Sequence, residues 1–537
     1  MAEALHADVV IVGSGVAGAL IAAKLAVAGV KVLVLEAGPR IDRGEGIERF
    51  QKSRTKTTLS AYPVVAHAPS PDTDRLGAYY VQSGSTVFEG LYLRAVGGST
   101  WHWGGNASRL HPNDLRMHSQ YGVALDWPIE YAALLPFYEQ AERELGVAGD
   151  PQTCLVPAPR GPFPMGPIPQ TYNDRVVARA AAPLGLTLKA TPQARNSDAY
   201  DDRPACCGSA MCVPLCPVGA KYDASVHVAK AEAAGAQVSE NAVAHRIELG
   251  PDRKVAAIRF LRPDGSEGRA TGRIFVLAAH AIETPKILLM SAGEVAPEGV
   301  ANGSGQVGRN LMGHIQVGYV GLAADPVYPY RGPVETSGFA EWRDGAFRSD
   351  HAAMGSGSSN QGWVRAIGPQ MRAAELISKA GLVGPALRKA LKEQTIREVA
   401  IGGSAEVLPN PENRVTLDPQ KDALGLPRPH IHFGIDAYTT RSMELGQERH
   451  MKVMQALGCT SILHGPPRVN TSIIGGTARM GTDSTASVVD PALRAHDNPN
   501  LFIVGSAAFP TMGISPPTLT IAALALRAAE QIRADLG

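Results

Sequence analysis

The apolar positions of this chain fall first in short unbroken runs, not in alternation. Residues 8–13, Asp-Val-Val-Ile-Val-Gly, form such a run and end in glycine, which suits a strand of a parallel sheet covered on both faces. Residues 16–28 then carry alanine and leucine at helical spacing, and residues 30–35 read as a second strand. Together they predict a βαβ unit. Further along, the pattern predicts an amphipathic helix over 129–146 and a Pro-rich loop over 150–175. It predicts strands over 255–261 and 271–279 and a helix over 281–292 with Pro285 in its first turn. From about 316 to 464 the composition shifts. A Gly/Ser stretch at 354–362 precedes a basic amphipathic helix over 369–394, and this region reads as a second domain facing the substrate. The tail returns to strand, loop and helix, with Asn500-Leu-Phe-Ile-Val-Gly505 and a helix from about 518.

Composition narrows the class. The 537 residues are 45% hydrophobic and 19% charged, which describes a globular chain with a large core and about three to four structural units. Lys+Arg 51 against Asp+Glu 50 gives no electrostatic case for a nucleic-acid partner. The N-terminus lacks the basic and apolar regions of a signal peptide, and no run is long enough for a transmembrane segment. The chain is expected to be soluble, and either cytoplasmic or periplasmic by co-export with a partner.

Gly13-Ser14-Gly15-Val16-Ala17-Gly18 fits G-x-G-x-x-G between a strand and a helix, and Glu36 closes the second strand. Gly13 permits the turn, Gly15 lets backbone approach a pyrophosphate, and Gly18 allows close packing. Glu36 can accept from ribose hydroxyls at the helix N-terminus. A single fingerprint at the start of a long chain, with a strand–glycine return at Gly505, favours FAD over a nicotinamide cofactor.

Four of the six cysteines lie between residues 206 and 216. On the spacing C-x₂-C-x₂-C-x₃-C-P, the positions are Cys206, Ser209, Cys212 and Cys216, followed by Pro217. Three thiolates with serine in the second place match what a three-iron cluster needs. A zinc site, structural thiols, or a Cys212–Cys216 disulfide are the alternatives. Cys207 is a neighbour, while Cys154 and Cys459 read as inert core thiols. No C-x-x-C-H is present to attach a haem.

Several ordered segments resemble the glucose–methanol–choline (GMC) oxidoreductase family. They are Val96-Gly-Gly-Ser-Thr-Trp-His-Trp103, Ala281-Ile-Glu-Thr-Pro-Lys-Ile-Leu-Leu-Met290, Val307-Gly-Arg-Asn-Leu-Met-Gly-His314, Gly476-Thr-Ala-Arg-Met-Gly481 and the tail Thr518–Arg527. The resemblance is closest to the catalytic subunits of bacterial FAD-dependent sugar dehydrogenases, which carry a similar cysteine stretch. It implies an α/β fold with a Rossmann-type FAD-binding domain, here 1–315 and 465–537 with an iron–sulfur segment 196–222. An α+β substrate domain takes 316–464. It implies FAD closed over by Gly97 and Gly98, with His102 either a covalent flavin attachment or a packing histidine. It also implies a [3Fe-4S] cluster on Cys206, Cys212 and Cys216, a small accessory subunit and a cytochrome or other electron acceptor. The expected reaction is oxidation of a hydroxylated, sugar- or polyol-like molecule.

One departure stands out. Family members place a histidine before the Gly-Thr segment and an asparagine or second histidine before Thr-Leu-Thr. Here those positions fall on Ser472, or Ile473 by the alternative alignment, and on Pro516. Neither is a base, and proline cannot orient an alcohol. His314, His464, Glu406 and Arg479 are the substitute candidates. A flavin-dependent C–C desaturase and a non-catalytic electron-transfer subunit are the competing functions.

Overall fold

The computed structural model describes residues 3–537 except 55, 58, 72, 361–368 and 466. Its centre is a five-stranded, all-parallel sheet in the order Leu501–Ile503, Ile274–Leu277, Val9–Val12, Val32–Leu35, Gln237–Ser239. The first four strands are buried along their whole length, as the unbroken apolar runs require. Helix Val16–Val27 is buried all round except at Lys24 and Val27, because the C-terminal helix Thr518–Leu536 and helix Ser225–Ala233 pack against it. The chain leaves Val9–Val12 in opposite directions to the two halves of the sheet. The carboxyl ends of the strands therefore open a crevice at this switch point.

A four-stranded sheet built from Glu3–His6, Glu267–Thr271, Val255–Leu261 and Val243–Leu249 flanks the first. A seven-stranded sheet is centred on the antiparallel pair Met312–Leu322 and Glu398–Glu406. It also takes in Leu188–Ala190 and Arg468–Gly475. Strands Arg414–Lys421, Pro427–His432 and Val81–Ser83 form a small third flank.

Three local expectations change. The region 271–279 divides between strands Glu267–Thr271 and Ile274–Leu277. The basic segment 369–394 is two helices, Pro369–Ala380 and Gly384–Thr395, broken where Gly381 and Gly384 take positive φ. Pro285 lies inside helix His280–Met290, at its sixth residue and not in the first turn. Proline has no N–H for the carbonyl four residues back. The Thr477 hydroxyl donates to that Ala281 carbonyl instead, at 2.6 Å. Two separate sequence motifs thus meet in one hydrogen bond. Of the Gly/Ser stretch 354–362, residues 354–358 form a strand, and 361 and 362 lie outside the described residues.

Four histidines, His102, His280, His314 and His450, are lowered to about 4, in each case first by burial. Their folded values lie below the unfolded value of about 6.5. Their contribution to stability is complete above pH 6.5 and is lost as pH falls toward 4, because the unfolded chain takes up protons that the folded chain refuses. We expect the urea midpoint to fall steeply across this window, with a slope approaching four protons, each about 1.4 kcal/mol per pH unit. Replacing His450 with glutamine should flatten that slope by one proton in urea titrations at stepped pH. A pH-independent midpoint would contradict the neutral assignment.

Candidate active site

The crevice at the switch point is a cavity of about 1290 Å³ including its mouth. Its walls come from the fingerprint (Val12, Gly13, Gly15, Val16, Ala17), from Glu36, and from the 92–103 segment. His280, Glu283, Ser472 and Ile474, the 504–507 return and Pro517-Thr518 complete them. Of the expected cofactor-binding residues, Gly13, Gly15, Glu36, Gly98 and Gly505 border it, while Gly18, Gly97 and His102 do not.

The glycines have distinct jobs. A methyl group on Gly18 would lie 1.9 Å from the Gly13 carbonyl oxygen, so only glycine lets the helix start pack under the turn. A methyl group on Gly15 would meet no protein atom within 4 Å, so this side of the turn faces open cavity. Gly98 closes from above, where an added methyl would stand 3.1 Å from the Gly15 Cα.

Glu36 is clipped in place by the fingerprint itself. One carboxylate oxygen accepts from the Ser14 N–H at 2.9 Å and the Ser14 hydroxyl at 2.6 Å, and the other accepts from Gly38 N–H at 3.2 Å. The same Ser14 hydroxyl accepts from Gly97 N–H at 3.1 Å. Ser14 therefore ties together the fingerprint, the acid and the glycine turn. Burial raises the Glu36 pKa, opposed by the Ser14 and Gly38 bonds and the Arg94 charge.

Arg94 is a site residue that motif reading missed. It is 7% exposed and borders the cavity, and its Nε and Nη1 have no protein partner. A lone arginine within the apolar run Leu91-Tyr-Leu-Arg-Ala-Val96 was the available signal. Its Nη2 stands 4.0 Å from Glu283, whose other oxygen accepts from the Tyr79 and Tyr92 hydroxyls. Burial pushes Glu283 up, but Arg94, Lys286 and the tyrosines outweigh it and hold the carboxyl at about 2. Beside it His280 has φ +67° and stacks on Tyr92 at 4.2 Å between ring centroids. Buried, unpaired Arg94 donors beside the cavity, an open cradle at Gly15 and a clipped acid fit an anionic dinucleotide.

Comparison with known proteins agrees with this geometry. Residues 8–316 match the model of the GMC oxidoreductase N-terminal family and residues 409–525 that of the GMC oxidoreductase C-terminal family. The chain belongs to the GMC oxidoreductase family. It is 40% identical to the fructose dehydrogenase large subunit of Gluconobacter japonicus over 99% of both chains. It is 29% identical to 2-methyl-1,2-propanediol dehydrogenase of Mycolicibacterium austroafricanum, over 98% of this chain and 95% of that one. Among solved structures, pyridoxine 4-oxidase from "Mesorbium loti" superposes with a TM-score of 0.62 at 18% identity, covering 98% and 99% of the two chains, which supports the fold. This GMC oxidoreductase is accordingly an FAD-dependent enzyme of the class acting on CH–OH groups.

The substitute catalytic candidates do not gather on the cavity. Ser472 borders it, as do Ile474 and Pro517, but Pro516 does not. His314 is buried, with its Nε2 2.8 Å from the Gly513 carbonyl. Glu406 accepts from both Arg348 and the Ala353 N–H. His464 is exposed at the edge of the large sheet, its ring 5.6 Å from that of Tyr319. Arg479 donates to the Ala486 carbonyl within its own loop. His102 is 5% exposed with its Nε2 unpartnered, packs edge-on to Tyr62, and is absent from the cavity wall.

Cys206, Cys212 and Cys216 share one loop, and all six cysteines are free thiols, which removes the disulfide alternative. Cys212 and Cys216 are buried, Cys206 is half-buried and Cys207 is exposed. Burial raises the Cys206 pKa first. The Gly208 N–H and Arg195 oppose this, while the Cys212 and Cys216 thiols add to it, so the three are electrostatic neighbours. Among the described residues no three metal-binding side chains are arranged to close on an ion.

Proposed function

We propose that this enzyme oxidises a CH–OH group of a sugar- or polyol-like molecule and passes the electrons singly to an external acceptor. A [3Fe-4S] cluster on Cys206, Cys212 and Cys216 would be the intermediate carrier. The substrate class follows the relatives' names, which include fructose, gluconate and propanediol dehydrogenases. A relative named as a large subunit supports a smaller accessory subunit as partner; the cytochrome acceptor follows from the family resemblance alone.

One observation supports the electron exit: the 222–224 segment, which follows the thiol loop in the chain, is hydrogen-bonded to the 100–103 turn beside the cofactor cavity. Trp103 Nε1 donates to the Tyr222 carbonyl at 2.7 Å, and Ala224 N–H donates to the Thr100 hydroxyl at 2.8 Å. Arg195 and Lys221 are electrostatic neighbours of the thiols and Arg43 donates to the Cys216 carbonyl at 2.8 Å, charges that would favour an anionic cluster, although the three thiols as placed do not close on an ion. FAD, when bound, accepts the hydride. Glu36 would hold its ribose, and the Gly13–Gly15 backbone with Arg94 its phosphates. Ser99, Thr100, Trp103, Ser472 and Val504–Ala507 line the remainder of the cavity.

Anaerobic bleaching of the flavin across sugars, polyols and cyclic ketones tests the reaction. Bleaching by an alcohol supports dehydrogenation. Bleaching by a ketone alone assigns desaturation, and bleaching by none assigns an electron-transfer role. For the exit, Cys212→Ser is expected to remove iron and the visible cluster absorbance. It should also lower reduction of an external one-electron acceptor at least tenfold while the flavin still bleaches. Unchanged iron content would refute Cys212 as a ligand.

A further inference from the structure

Helix Gly384–Thr395 has no buried residue along its twelve positions. It packs back on helix Pro369–Ala380, which ties the pair to the body through two side chains. Leu376 is 9% exposed, and the buried Arg372 pairs with Glu375 at 2.7 Å and stands 3.7 Å from Glu398 of the large sheet. The turn between the helices points away from that anchor. Gly381 and Gly384 take positive φ and carry Val383 between them, 69% exposed. Ile377, in the last turn of the first helix, is 47% exposed. Charge on this hairpin is one-sided. The whole chain carries Lys+Arg 51 and Asp+Glu 50, yet from Leu376 to Lys392 there is no Asp or Glu. Lys379, Arg388, Lys389 and Lys392 lie in that span, and all are exposed. Lys379 pairs with Glu375 at 3.1 Å. Among the described residues, Arg388, Lys389 and Lys392 have no carboxylate within ion-pairing distance. They share one helix face at spacing i, i+1, i+4, turned from the half-buried Leu387 and Leu391.

We propose that the 369–395 hairpin docks this enzyme on an anionic phospholipid bilayer. Val383 and Ile377 enter the boundary between headgroups and acyl chains, and Arg388, Lys389 and Lys392 meet the phosphates. Two features favour a bilayer over a protein partner. A projecting apolar turn needs a matching concavity in a folded protein, whereas a fluid interface closes around it. An apolar tip flanked by unpaired bases also repeats the order of the bilayer itself, apolar chains beneath a negative surface. Among the described residues no helix is long and apolar enough to cross a membrane, so the contact is with the surface. Two exposed apolar side chains supply little buried area, so the attachment is reversible and depends on the charges.

The test is co-sedimentation of the full, FAD-loaded chain with vesicles. One set is equimolar phosphatidylcholine and phosphatidylglycerol, and the other is phosphatidylcholine alone. Wild type is expected to sediment with the mixed vesicles at low salt and to be released at about 1 M salt, where screening falls to about 3 Å. Binding to phosphatidylcholine alone should be weaker by about tenfold or more. The triple variant Arg388→Gln, Lys389→Gln, Lys392→Gln should bind the mixed vesicles about a hundredfold more weakly. Val383→Asp should bind about tenfold more weakly, through lost burial and an added charge. Val64→Asp, at a position 95% exposed and outside the hairpin, adds the same charge and should stay within about twofold of wild type. All of these side chains are exposed, so FAD content and urea midpoint should match wild type in every variant. Wild type that ignores the mixed vesicles overturns the proposal, including the case in which the hairpin holds an acidic protein instead. Equal binding to both vesicle sets, or equal loss in Val64→Asp and Val383→Asp, overturns it too.

Discussion

Gly18→Ala should cost the fold, and Gly15→Ala only the cofactor. The added methyl at residue 18 meets the Gly13 carbonyl oxygen at 1.9 Å, a backbone atom that cannot swing aside, with the Ile11 side chain at 3.2 Å. Relief requires the helix Val16–Val27 to slide on the parallel sheet. That disturbs its packing against the 225–233 and 518–536 helices, at a cost of about 3 kcal/mol or more. The added methyl at residue 15 meets nothing within 4 Å and enters only the space that a pyrophosphate needs. Gly15→Ala is therefore expected to unfold, without FAD, at the wild-type urea midpoint and to bind FAD at least a hundredfold more weakly, about 2.7 kcal/mol. Saturating FAD should raise the wild-type Tm and leave that of Gly15→Ala nearly unmoved. Equal loss of stability in both variants would show that the two glycines share one structural job.

That contrast also marks where sequence reading stops. The fingerprint, Glu36 and the buried strands are legible because their logic is local: a fixed spacing, a run of apolar residues, a glycine at a turn. Ser14 occupies an unspecified position of the same motif, yet its hydroxyl joins Glu36 to Gly97, 83 residues away. Nothing in a spacing announces such a bond. Thr477 likewise fills the carbonyl stranded by Pro285 from 196 residues distant. Glu406 invites a catalytic reading for the same reason in reverse. A carboxyl near a family motif looks like a base until its partners, Arg348 and through it Asp114, are in view.

The positions that the family resemblance assigns to a His/Asn pair carry Ser472, or Ile473, and Pro516. Ser472 keeps a hydroxyl on the cavity wall at the first position, and the second is filled by Pro516 in the loop that leads into the C-terminal helix. What fixes that loop is a buried layer beneath it. Thr511 donates to the Asp114 carbonyl, His314 pairs with the Gly513 carbonyl, and Arg343 donates to the Ser515 hydroxyl at 3.1 Å. These bonds fix the backbone that carries Pro516.

Arg348→Ala should be among the most destabilising single substitutions in this layer, losing about 3–5 kcal/mol, because it strands buried carboxylates. The guanidinium is fully buried. It donates to Asp114 at 2.8 Å and to both Glu406 oxygens at 2.9 and 3.0 Å, and reaches Asp344 at 3.2 Å. Lysine cannot supply this fork, so Arg348→Lys should recover little. Glu406 behaves differently from its partner. Burial raises its pKa, and the Asp114 charge adds to that, against the pull of Arg348. Its ionised form is thus the costly one, with stability complete below the unfolded value of about 4.3 and eroded as pH rises through the higher folded value. Glu406→Gln is accordingly expected to stay within about 1 kcal/mol of wild type near neutral pH, and combined with Arg348→Met to restore part of what Arg348→Ala loses. Urea unfolding of the single and double variants measures this directly, with flavin bleaching followed in parallel. If Glu406 were the base that replaces the missing histidine, Glu406→Gln would instead abolish bleaching by substrate at undiminished stability.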